Sequence, residues 1–268
     1  MNVEWIGEAL EKLRKKRPLI HNITNYVVMN TTANAFLAIG ASPVMAHAIE
    51  ELEEMVGLAD ALVINIGTLD EHKIYSMLKA VEVAKELRKP VILDPVGAGA
   101  TKLRTKTSLK LLELGSISVV RGNFGEIAAL LGEHGKTRGV DSAAYDENTA
   151  KTIAKEAARE FNTVVALTGP VDYVGDGKRV YGVANGTPML GRVTGTGCMA
   201  TSIIGAFLAV EEPLRATIAG LVTFEIAAEK AVEEAPYPGS FHVKLYDWLY
   251  RIDGEIIKER AKVREVDS

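Results

Sequence analysis

The sequence contains a single cysteine, no extended block of basic residues and no apolar run that matches the length of a membrane span. One cysteine, Cys198, excludes an internal disulfide and is typical of a reducing compartment, so we expect a cytoplasmic protein without a secretory signal. The net charge of −4 argues against nucleic acid as a partner. The longest apolar run, residues 199–210, includes Thr201 and Ser202 and is too short to cross a bilayer, so we expect no membrane segment.

The length and composition predict one globular domain. The chain has 268 residues, of which 47% are hydrophobic and 25% are charged, a balance that is typical of a globular protein with a sizeable core. No repeat, low-complexity tract or linker rich in proline and serine divides the sequence. We therefore expect a single domain that spans residues 1–268.

Short apolar runs alternate with amphipathic segments in the first two thirds of the sequence. The runs predict buried strands at residues 61–66, 91–93, 117–120 and 163–167. The segments between them predict helices near residues 70–88, 105–114, 124–132 and 146–161. This alternation is typical of the α/β class, with a mainly parallel sheet covered by helices on both faces.

Other elements are predicted on either side of this alternation. Asp176-Gly177 predicts the turn of a hairpin over residues 172–183. Three helices are predicted after it, over residues 198–210, 213–234 and 240–262.

Two helices are predicted before the first of these strands. One has an apolar face formed by Trp5, Ile6, Ala9, Leu10 and Leu13. The other spans residues 27–39, with Gly40 at its end and Thr24 or Asn25 as the residue that caps its start.

The Gly-Thr-Gly-Cys turn of residues 195–198 precedes one of the predicted helices directly. Such a turn leaves backbone N–H groups unpaired at a helix N terminus, where the positive end of the helix dipole adds to their attraction for an anion such as phosphate. Cys198 lies at the mouth of the turn, where a thiol loses its proton more easily. The alternative is a tight turn before a core helix, with Cys198 as a small buried residue.

Polar residues follow four of the predicted strands, and the carboxyl ends of parallel strands meet at one edge of a sheet. They are Gly67-Thr68, Asp94-Pro95, Arg121-Gly122-Asn123 and Thr168-Gly169, with Glu126 one turn into the next helix. Asp94 and Glu126 could bind Mg²⁺ together with substrate phosphates, and Arg121 could clamp a phosphate. Each also has a structural alternative: Asp94 as the cap of a turn, Glu126 as an ordinary first-turn residue and Arg121 as its ion-pair partner. Taken with the glycine turn, the set favours phosphoryl transfer.

The chain resembles the hydroxyethylthiazole kinases of the ribokinase-like superfamily along nearly its whole length. The motifs that carry the resemblance are PLIHNITNYVVMNTTAN at residues 18–34, GASPVMAHA at 40–48, INIGTL at 64–69, LDPVGAGAT at 93–101, VRGNFGEI at 120–127, RGVDS at 138–142 and GTGC at 195–198. The resemblance implies ATP-dependent phosphorylation of the primary alcohol of 4-methyl-5-(2-hydroxyethyl)thiazole, a step of thiamine biosynthesis and salvage. It also implies a homotrimer with thiazole sites between neighbouring subunits.

The resemblance further implies roles for individual residues. It places the thiazole pocket at Asn25, Met45, Gly67 and Gly195, the ATP contacts at Arg121, Asn123 and Thr168, the Mg²⁺-associated acids at Asp94 and Glu126, and the catalytic turn at Gly195, Thr196, Gly197 and Cys198. Many ribokinase-like enzymes have an aspartate as general base after the Gly-x-Gly turn, whereas Cys198 occupies that place here. The identity of the general base is therefore open. For Met45, an ordinary position in the core remains the alternative to a place in the thiazole pocket.

Three other functions fit parts of the sequence. The pattern Gly-x-Gly-x-x-Ala from residue 195 satisfies a loose dinucleotide fingerprint, but MLGRVT before it is a poor strand and no acid ends a second strand. A thiol hydrolase would use Cys198 as nucleophile and one of the five histidines as base, and no local pattern singles one out. A non-catalytic binder of a phosphorylated metabolite would keep the glycine turn and leave Asp94 and Glu126 without a metal.

Overall fold

We describe residues 2–133 and 146–266 of a computed structural model, so the RGVDS motif at residues 138–142 lies outside the described residues. In this part of the chain nine strands form one sheet: β1 (Leu19–Ile23), β2 (Ser42–Val44), β3 (Ala61–Asn65), β4 (Val91–Asp94), β5 (Val119–Asn123), β6 (Val164–Thr168), β7 (Asp172–Gly175), β8 (Val180–Val183) and β9 (Val263–Val266). The same residues form the helices α1 (Glu4–Lys16), α2 (Met29–Ile39), α3 (Leu52–Leu58), α4 (Glu71–Glu86), α5 (Lys102–Glu113), α6 (Phe124–Glu133), α7 (Glu147–Glu160), α8 (Thr196–Leu208), α9 (Pro213–Glu234), α10 (Pro238–Arg251) and α11 (Gly254–Arg260). The predicted α/β class is confirmed.

The strand order is β2-β1-β3-β4-β5-β6-β7-β8-β9. Pairing is parallel from β2 through β6 and antiparallel from β6 through β9, so the prediction of a mainly parallel sheet is confirmed. Because the first six strands of this order run in one direction, their carboxyl ends form a single rim. The polar residues that follow the predicted strands therefore lie along the same edge.

Alternate side chains of β3, β4, β5 and β6 pack into two separate cores. On β3, Ala61 and Val63 belong to the core shared with α1, α2 and α8 to α11. Leu62 and Ile64 belong to the core shared with α3 to α7. Burial on both faces explains why these strands read as continuous apolar runs, and it confirms the predicted helical layer on each side.

The helix α8 lies directly on the sheet because two glycines remove side chains from its contacts. A Cβ at Gly205 would lie 2.5 Å from Val63 Cγ2 of β3, and a Cβ at Gly220 of α9 would lie 2.7 Å from Ile204 Cα of α8. These approaches hold α8 between the sheet and α9. They thereby determine where the N terminus of α8 meets the rim.

The predicted cap of the second helix was wrong. The helix α2 begins at Met29 after Val28, and no side chain of the described residues caps it. Asn25 Oδ1 accepts from the Val27 N–H at 3.1 Å, so it closes a turn that precedes the helix, and Thr24 is buried. The predicted end is confirmed, since Gly40 follows the helix with a φ of 108°, in the left-handed region that glycine tolerates.

The predicted helix over residues 240–262 was also wrong, because it is two helices. The helix α10 ends at Arg251, and Asp253 then caps α11 by accepting from the Ile256 N–H at 2.9 Å. The strand β9 follows α11 and pairs with β8 beyond the predicted hairpin, which is itself confirmed as β7 and β8.

Three strands were missed and one was placed too early. The strand β1 contains buried His21 and Asn22, and β2 is a short edge strand with Pro43 at its centre, so neither has the apolar pattern of a core strand. The third, β9, has the alternating sequence VREV. The strand predicted at residues 117–120 is β5, which extends to Asn123.

Among the described residues no helix is long and apolar enough to span a membrane.

Candidate active site

The glycine turn forms the N terminus of α8, as predicted. Gly195 precedes the helix with a φ of 85°, and a Cβ there would lie 2.7 Å from Val28 Cγ1. The Thr196 hydroxyl donates to the carbonyl oxygens of Leu190 at 2.7 Å and Val193 at 3.2 Å, which fixes the turn against the preceding segment. The first N–H groups of a helix have no acceptor within it, so this end of α8 can bind an anion.

The Arg121 guanidinium lies against this helix N terminus. Its Nη1 is 2.8 Å from the position that a Cβ would take at Gly197, so residue 197 must lack a side chain for the guanidinium to lie there. Arg121 Nε is buried, and no acceptor in the described part of the chain reaches it. The guanidinium and the end of α8 are thus close enough to contact one anion.

Asp94, the last residue of β4, is buried beside the same turn. Its Oδ2 accepts from the Asn65 amide at 2.9 Å and from the Thr201 hydroxyl at 2.7 Å. Burial raises the pKa of the Asp94 carboxyl to about 6, and Glu126 contributes to the rise, whereas Arg121 and the two hydrogen bonds oppose it. Asp94 is therefore mainly ionised at pH 7 and titrates just below neutrality.

Cys198 lies beside Asp94, and the expectation of an acidified thiol was wrong. Burial raises the pKa of the Cys198 thiol to about 11, and the Asp94 carboxylate adds to the rise. The amide of Asn65 lies 3.2 Å from Cys198 Sγ and that of Asn25 lies 3.6 Å from it. These contacts do not offset burial, so the thiol is protonated at neutral pH.

Glu126 is connected to backbone groups on two sides of the rim. Its carboxylate accepts from the Gly97 N–H at 2.8 Å and from the Asn123 N–H at 2.8 Å, while the Asn123 side chain accepts from the Glu126 N–H at 3.0 Å. The Glu126 carboxylate thus joins the turn after β4 to the end of β5. These bonds replace the ion pair with Arg121 that the sequence left open.

Asn25, Gly67 and Asn65 form a compact cluster next to Cys198. The Asn25 amide donates to Asn65 Oδ1 at 2.8 Å, and the Gly67 N–H donates to the same oxygen at 3.0 Å. A Cβ at Gly67 would lie 2.6 Å from Asn25 Nδ2, so the glycine makes room for the Asn25 side chain. The structure therefore brings together two of the residues predicted to bind the thiazole.

A cavity of about 580 Å³ lies at the α8 N terminus. Its walls include Arg121, Thr168, Thr196 and Gly197. Asn123 is exposed at the end of β5, and Met45 is half-buried after β2, where it packs against the core on the α8 side of the sheet. Arg121 and Thr168 thus line the cavity at the turn and Asn25 lies beside Cys198, whereas no contact found among the described residues brings Met45 to either group.

Four residues that support the site were missed from the sequence. Asn65 and Thr201 bind Asp94, while Arg104 donates to the Val96 carbonyl at 2.6 Å and the Gly67 carbonyl at 2.8 Å. Lys73 is buried on α4 and donates to the Thr24 carbonyl at 2.9 Å, with its Nζ 3.5 Å from the centre of the Tyr26 ring. Lys73 and Arg104 therefore hold the loops that follow β1, β3 and β4. The only sequence signal for this role is that neither residue belongs to an apolar pattern.

The structure weakens two of the competing functions. The segment before the glycine turn is a 3₁₀ helix, Pro188–Arg192, whereas a dinucleotide-binding glycine motif follows a strand. The side-chain partners of the Cys198 thiol in the described chain are two asparagine amides and no histidine, so a thiol hydrolase has no base in place.

Metal binding by protein side chains alone is not supported by the described residues. No group of three or more histidine, cysteine, aspartate or glutamate side chains in that part of the chain is arranged to hold a metal ion. Glu126 is nevertheless close enough to Asp94 for its charge to raise the pKa of the Asp94 carboxyl. Two carboxylates suit Mg²⁺, which is commonly completed by water and by substrate phosphates.

Sequence comparisons with known proteins match this chain over most of its length. A sequence profile of the Hydroxyethylthiazole kinase family matches residues 10–255. The hydroxyethylthiazole kinase of Pyrococcus abyssi is 69% identical over 264 residues, which make up 98% of this chain and 99% of that protein.

Solved structures extend the comparison to the fold. The structure of the hydroxyethylthiazole kinase protein from Pyrococcus horikoshii OT3 matches with a TM-score of 0.93 at 64% identity, covering 98% of this chain and 100% of that chain. The pyridoxal kinase from Staphylococcus aureus in complex with ADP matches with a TM-score of 0.62 at 18% identity, covering 80% of this chain and 87% of that one. The second likeness concerns the fold alone.

Proposed function

Because the chain belongs to the hydroxyethylthiazole kinase family, we propose that it transfers the γ-phosphoryl group of ATP to the primary hydroxyl of 4-methyl-5-(2-hydroxyethyl)thiazole, in thiamine biosynthesis and salvage. The observation that carries the proposal is the meeting of two groups of residues at residues 195–198. Arg121 and Gly197 line the cavity, and the Asn25 amide of the Asn25–Gly67 cluster lies 3.6 Å from Cys198 Sγ. A phosphoryl group passing between them would remain at a helix N terminus.

ATP is proposed to occupy the cavity, with its phosphates at Arg121 and the end of α8. Thr168 lines the same cavity, and its hydroxyl donates to the Gly122 carbonyl at 3.3 Å, so its position is fixed relative to β5. Asn123 would contact the nucleotide from the exposed end of that strand. A guanidinium and a helix N terminus together supply the charge-assisted donors that phosphate requires.

The thiazole alcohol is proposed to bind at Asn25, Met45, Gly67 and Gly195. Met45 offers a polarizable side chain to a flat heterocycle, and Asn25 lies next to Cys198 at the turn where the hydroxyl would receive the phosphoryl group. The Asn25 amide is already bonded to Asn65, so its contact with the alcohol would use the remaining capacity of the amide.

A homotrimer with sites between subunits is proposed to complete the thiazole pocket. Tyr26 is 59% exposed, Val27 is 62% exposed and Leu37 is 60% exposed, and the first two directly follow Asn25. Apolar side chains beside a binding residue are typical of a surface that a neighbouring subunit covers. Sedimentation of the purified protein tests this, and Val27→Asp should dissociate the assembly and weaken alcohol binding together; a fully active monomer would contradict it.

Asp94 and Glu126 are the residues that would hold Mg²⁺. The two oxygens of Glu126 each accept one backbone N–H, and Asp94 Oδ2 accepts two hydrogen bonds, which leaves lone pairs for ligation on both carboxylates. When bound with ATP, Mg²⁺ would neutralise charge on the β- and γ-phosphates.

The chain's own groups then act mainly by position and charge. A loose phosphoryl-transfer transition state needs little proton removal before the phosphoryl group departs. The backbone N–H groups of residues 195–198 and the Arg121 guanidinium would stabilise charge on the transferred group. The Cys198 thiol, protonated at neutral pH, would pack beside the alcohol without acting as a strong base.

An ADP-release assay tests the proposed function. We expect Mg²⁺-dependent release of ADP with hydroxyethylthiazole and much slower release with pyridoxal or a hydroxymethyl aminopyrimidine.

Arg121→Lys should raise the KM for ATP or lower kcat, because it keeps the charge and loses the planar fork. Met45→Ala should mainly raise the KM for the alcohol. Faster turnover of an aminopyrimidine, or an Arg121→Lys variant impaired only toward the alcohol, would overturn the respective assignment.

A further inference from the structure

The cavity proposed for ATP contains a second pair of acids that the reaction does not use. Asp172, the first residue of β7, and Glu225, near the middle of α9, both line it. Asp172 is 5% exposed and Glu225 is 6% exposed, and their carboxyl groups are in hydrogen-bond contact with each other. Two buried carboxylates in contact repel each other strongly unless they share a proton.

The donors around the pair indicate which acid carries that proton. Asp172 Oδ1 accepts from the Gly169 N–H at 2.9 Å, which favours the ionised form of Asp172. Glu225 Oε2 is buried, and no donor of the described residues reaches it. Burial and the neighbouring Asp172 charge raise the pKa of Glu225 well above its usual range, in agreement with this geometry.

Arg121 is the cation that this pair affects. Its positive charge acts on both carboxyl groups, although no ion pair joins it to either of them in the described part of the chain. Its buried Nε has no acceptor, so the guanidinium depends on nearby negative charge to offset the cost of burial. The Asp94 carboxylate, ionised at neutral pH, also acts on this guanidinium, so one charge on the pair adds to its balance whereas two would leave excess negative charge close to the proposed phosphate site.

We propose that Asp172 and Glu225 share a single proton, carried by Glu225, and that the one remaining negative charge positions the Arg121 guanidinium in the cavity. Both acids are positioning residues, since they act through Arg121. The proposal rests on the proposed function, because the role of Arg121 in it is to bind the phosphates of ATP.

The shared proton makes an unusual prediction for amide substitutions. Asp172→Asn or Glu225→Gln replaces one carboxyl with an amide that can donate to the other, so each single variant keeps one negative charge and the hydrogen bond. Only the double variant loses the charge while keeping the shape. We expect each single variant to bind a non-hydrolysable ATP analogue within about threefold of the unchanged protein, and the double variant to bind it at least about tenfold more weakly.

Calorimetric titration with the ATP analogue and with adenosine separates positioning from cavity shape. Adenosine has no phosphate, so its affinity should stay within about twofold in all variants. Thr223→Val serves as the matched control, since it removes a buried hydroxyl of α9 that has no partner in the described residues and leaves the charge unchanged. An infrared difference spectrum at pH 8 should show a protonated carboxyl band that Glu225→Gln removes.

Each outcome discriminates between the claims. If Arg121→Ala leaves binding of the ATP analogue unchanged, the nucleotide assignment of the cavity fails. If Arg121→Ala weakens it but the double variant binds as tightly as the unchanged protein or more tightly, the positioning role fails alone. If the double variant loses affinity for adenosine as much as for the ATP analogue, the pair has only a structural role in the cavity. If each single variant loses affinity for the ATP analogue and the loss in the double variant is the sum of the two, both acids are charged and share no proton.

Discussion

The Thr201 hydroxyl donates to Asp94 Oδ2 over 2.7 Å. This bond connects α8, which begins with the glycine turn, to the end of β4, which carries the acid. The Asn65 amide connects the same Asp94 oxygen to Cys198. Displacement of any of these groups would therefore move the others, so the anion site and the carboxylate are positioned as one unit.

Asp94→Asn should lower activity and raise stability above neutral pH. Burial raises the pKa of Asp94 to about 6 from an ordinary 3.8, so its contribution to stability is complete below pH 4 and is lost as the pH rises through 6. The loss corresponds to about 3 kcal/mol at pH 8. Asparagine stays neutral and its carbonyl oxygen can accept the same two hydrogen bonds.

Calorimetric melting of both proteins between pH 4 and pH 8 checks this prediction. The melting temperatures should coincide near pH 4 and diverge by several degrees at pH 8, with the variant more stable, while kcat falls at least about 100-fold. A variant that is less stable at pH 8 would show that the Asp94 charge stabilises the fold.

Glu126→Gln should reduce both activity and stability. The glutamine amide nitrogen cannot accept a hydrogen bond, so either the Gly97 N–H or the Asn123 N–H loses its partner, at a cost of about 1–3 kcal/mol. Urea unfolding measures the stability change, and activity as a function of Mg²⁺ concentration measures ligation. Glu156→Gln, at an exposed residue of α7, is the control for loss of charge. Full activity at limiting Mg²⁺ would exclude Glu126 as a ligand.

Much of the fold and rim could be predicted because the signals are local in sequence. Buried parallel strands read as apolar runs, and the residues at their carboxyl ends must share an edge, so Asp94, Arg121 and Thr168 were found without knowledge of the topology. The strand β1 was missed because His21 and Asn22 are buried polar residues, which break the apolar pattern.

The supporting contacts could not be predicted, because they join elements that are distant in sequence. Asn65 looks like one polar residue in an apolar strand, and Thr201 looks like a small residue inside an apolar helix; only their meeting at Asp94 reveals their roles. The pKa of the Cys198 thiol could not be predicted for the same reason. Its place at a helix N terminus favours ionisation, but burial and the nearby Asp94 charge outweigh that effect.

Gly67→Ala should weaken alcohol binding through Asn25. A methyl group at residue 67 would lie 2.6 Å from Asn25 Nδ2, so the asparagine must move away from Asn65 and Cys198. We expect the KM for the alcohol to rise about tenfold with little change in the KM for ATP. Gly239→Ala is the matched control, since no atom of the described part of the chain lies within 4 Å of a Cβ there. An equal rise in both KM values would indicate a general distortion of the rim.

Cys198→Ala should lower the activity without abolishing it. General-base assistance is worth about 10²–10⁴-fold where it operates, and a thiol whose pKa is about 11 is almost entirely protonated at neutral pH. We therefore expect kcat to fall by less than about 100-fold, since the backbone N–H groups of the turn remain. Single-turnover kinetics with thermal melting as the folding control would measure the loss.

Cys198→Asp provides the complementary test of the base. A carboxylate at residue 198 can take the proton of the alcohol, so the variant should exceed Cys198→Ala at pH 8. Repulsion from Asp94, whose pKa is about 6, should favour protonation of one of the two acids and remove that advantage near pH 6. Phosphate trapped on Cys198 during turnover of the unchanged protein, or a folded and ATP-binding Cys198→Ala variant without any activity, would instead make the thiol an obligatory participant.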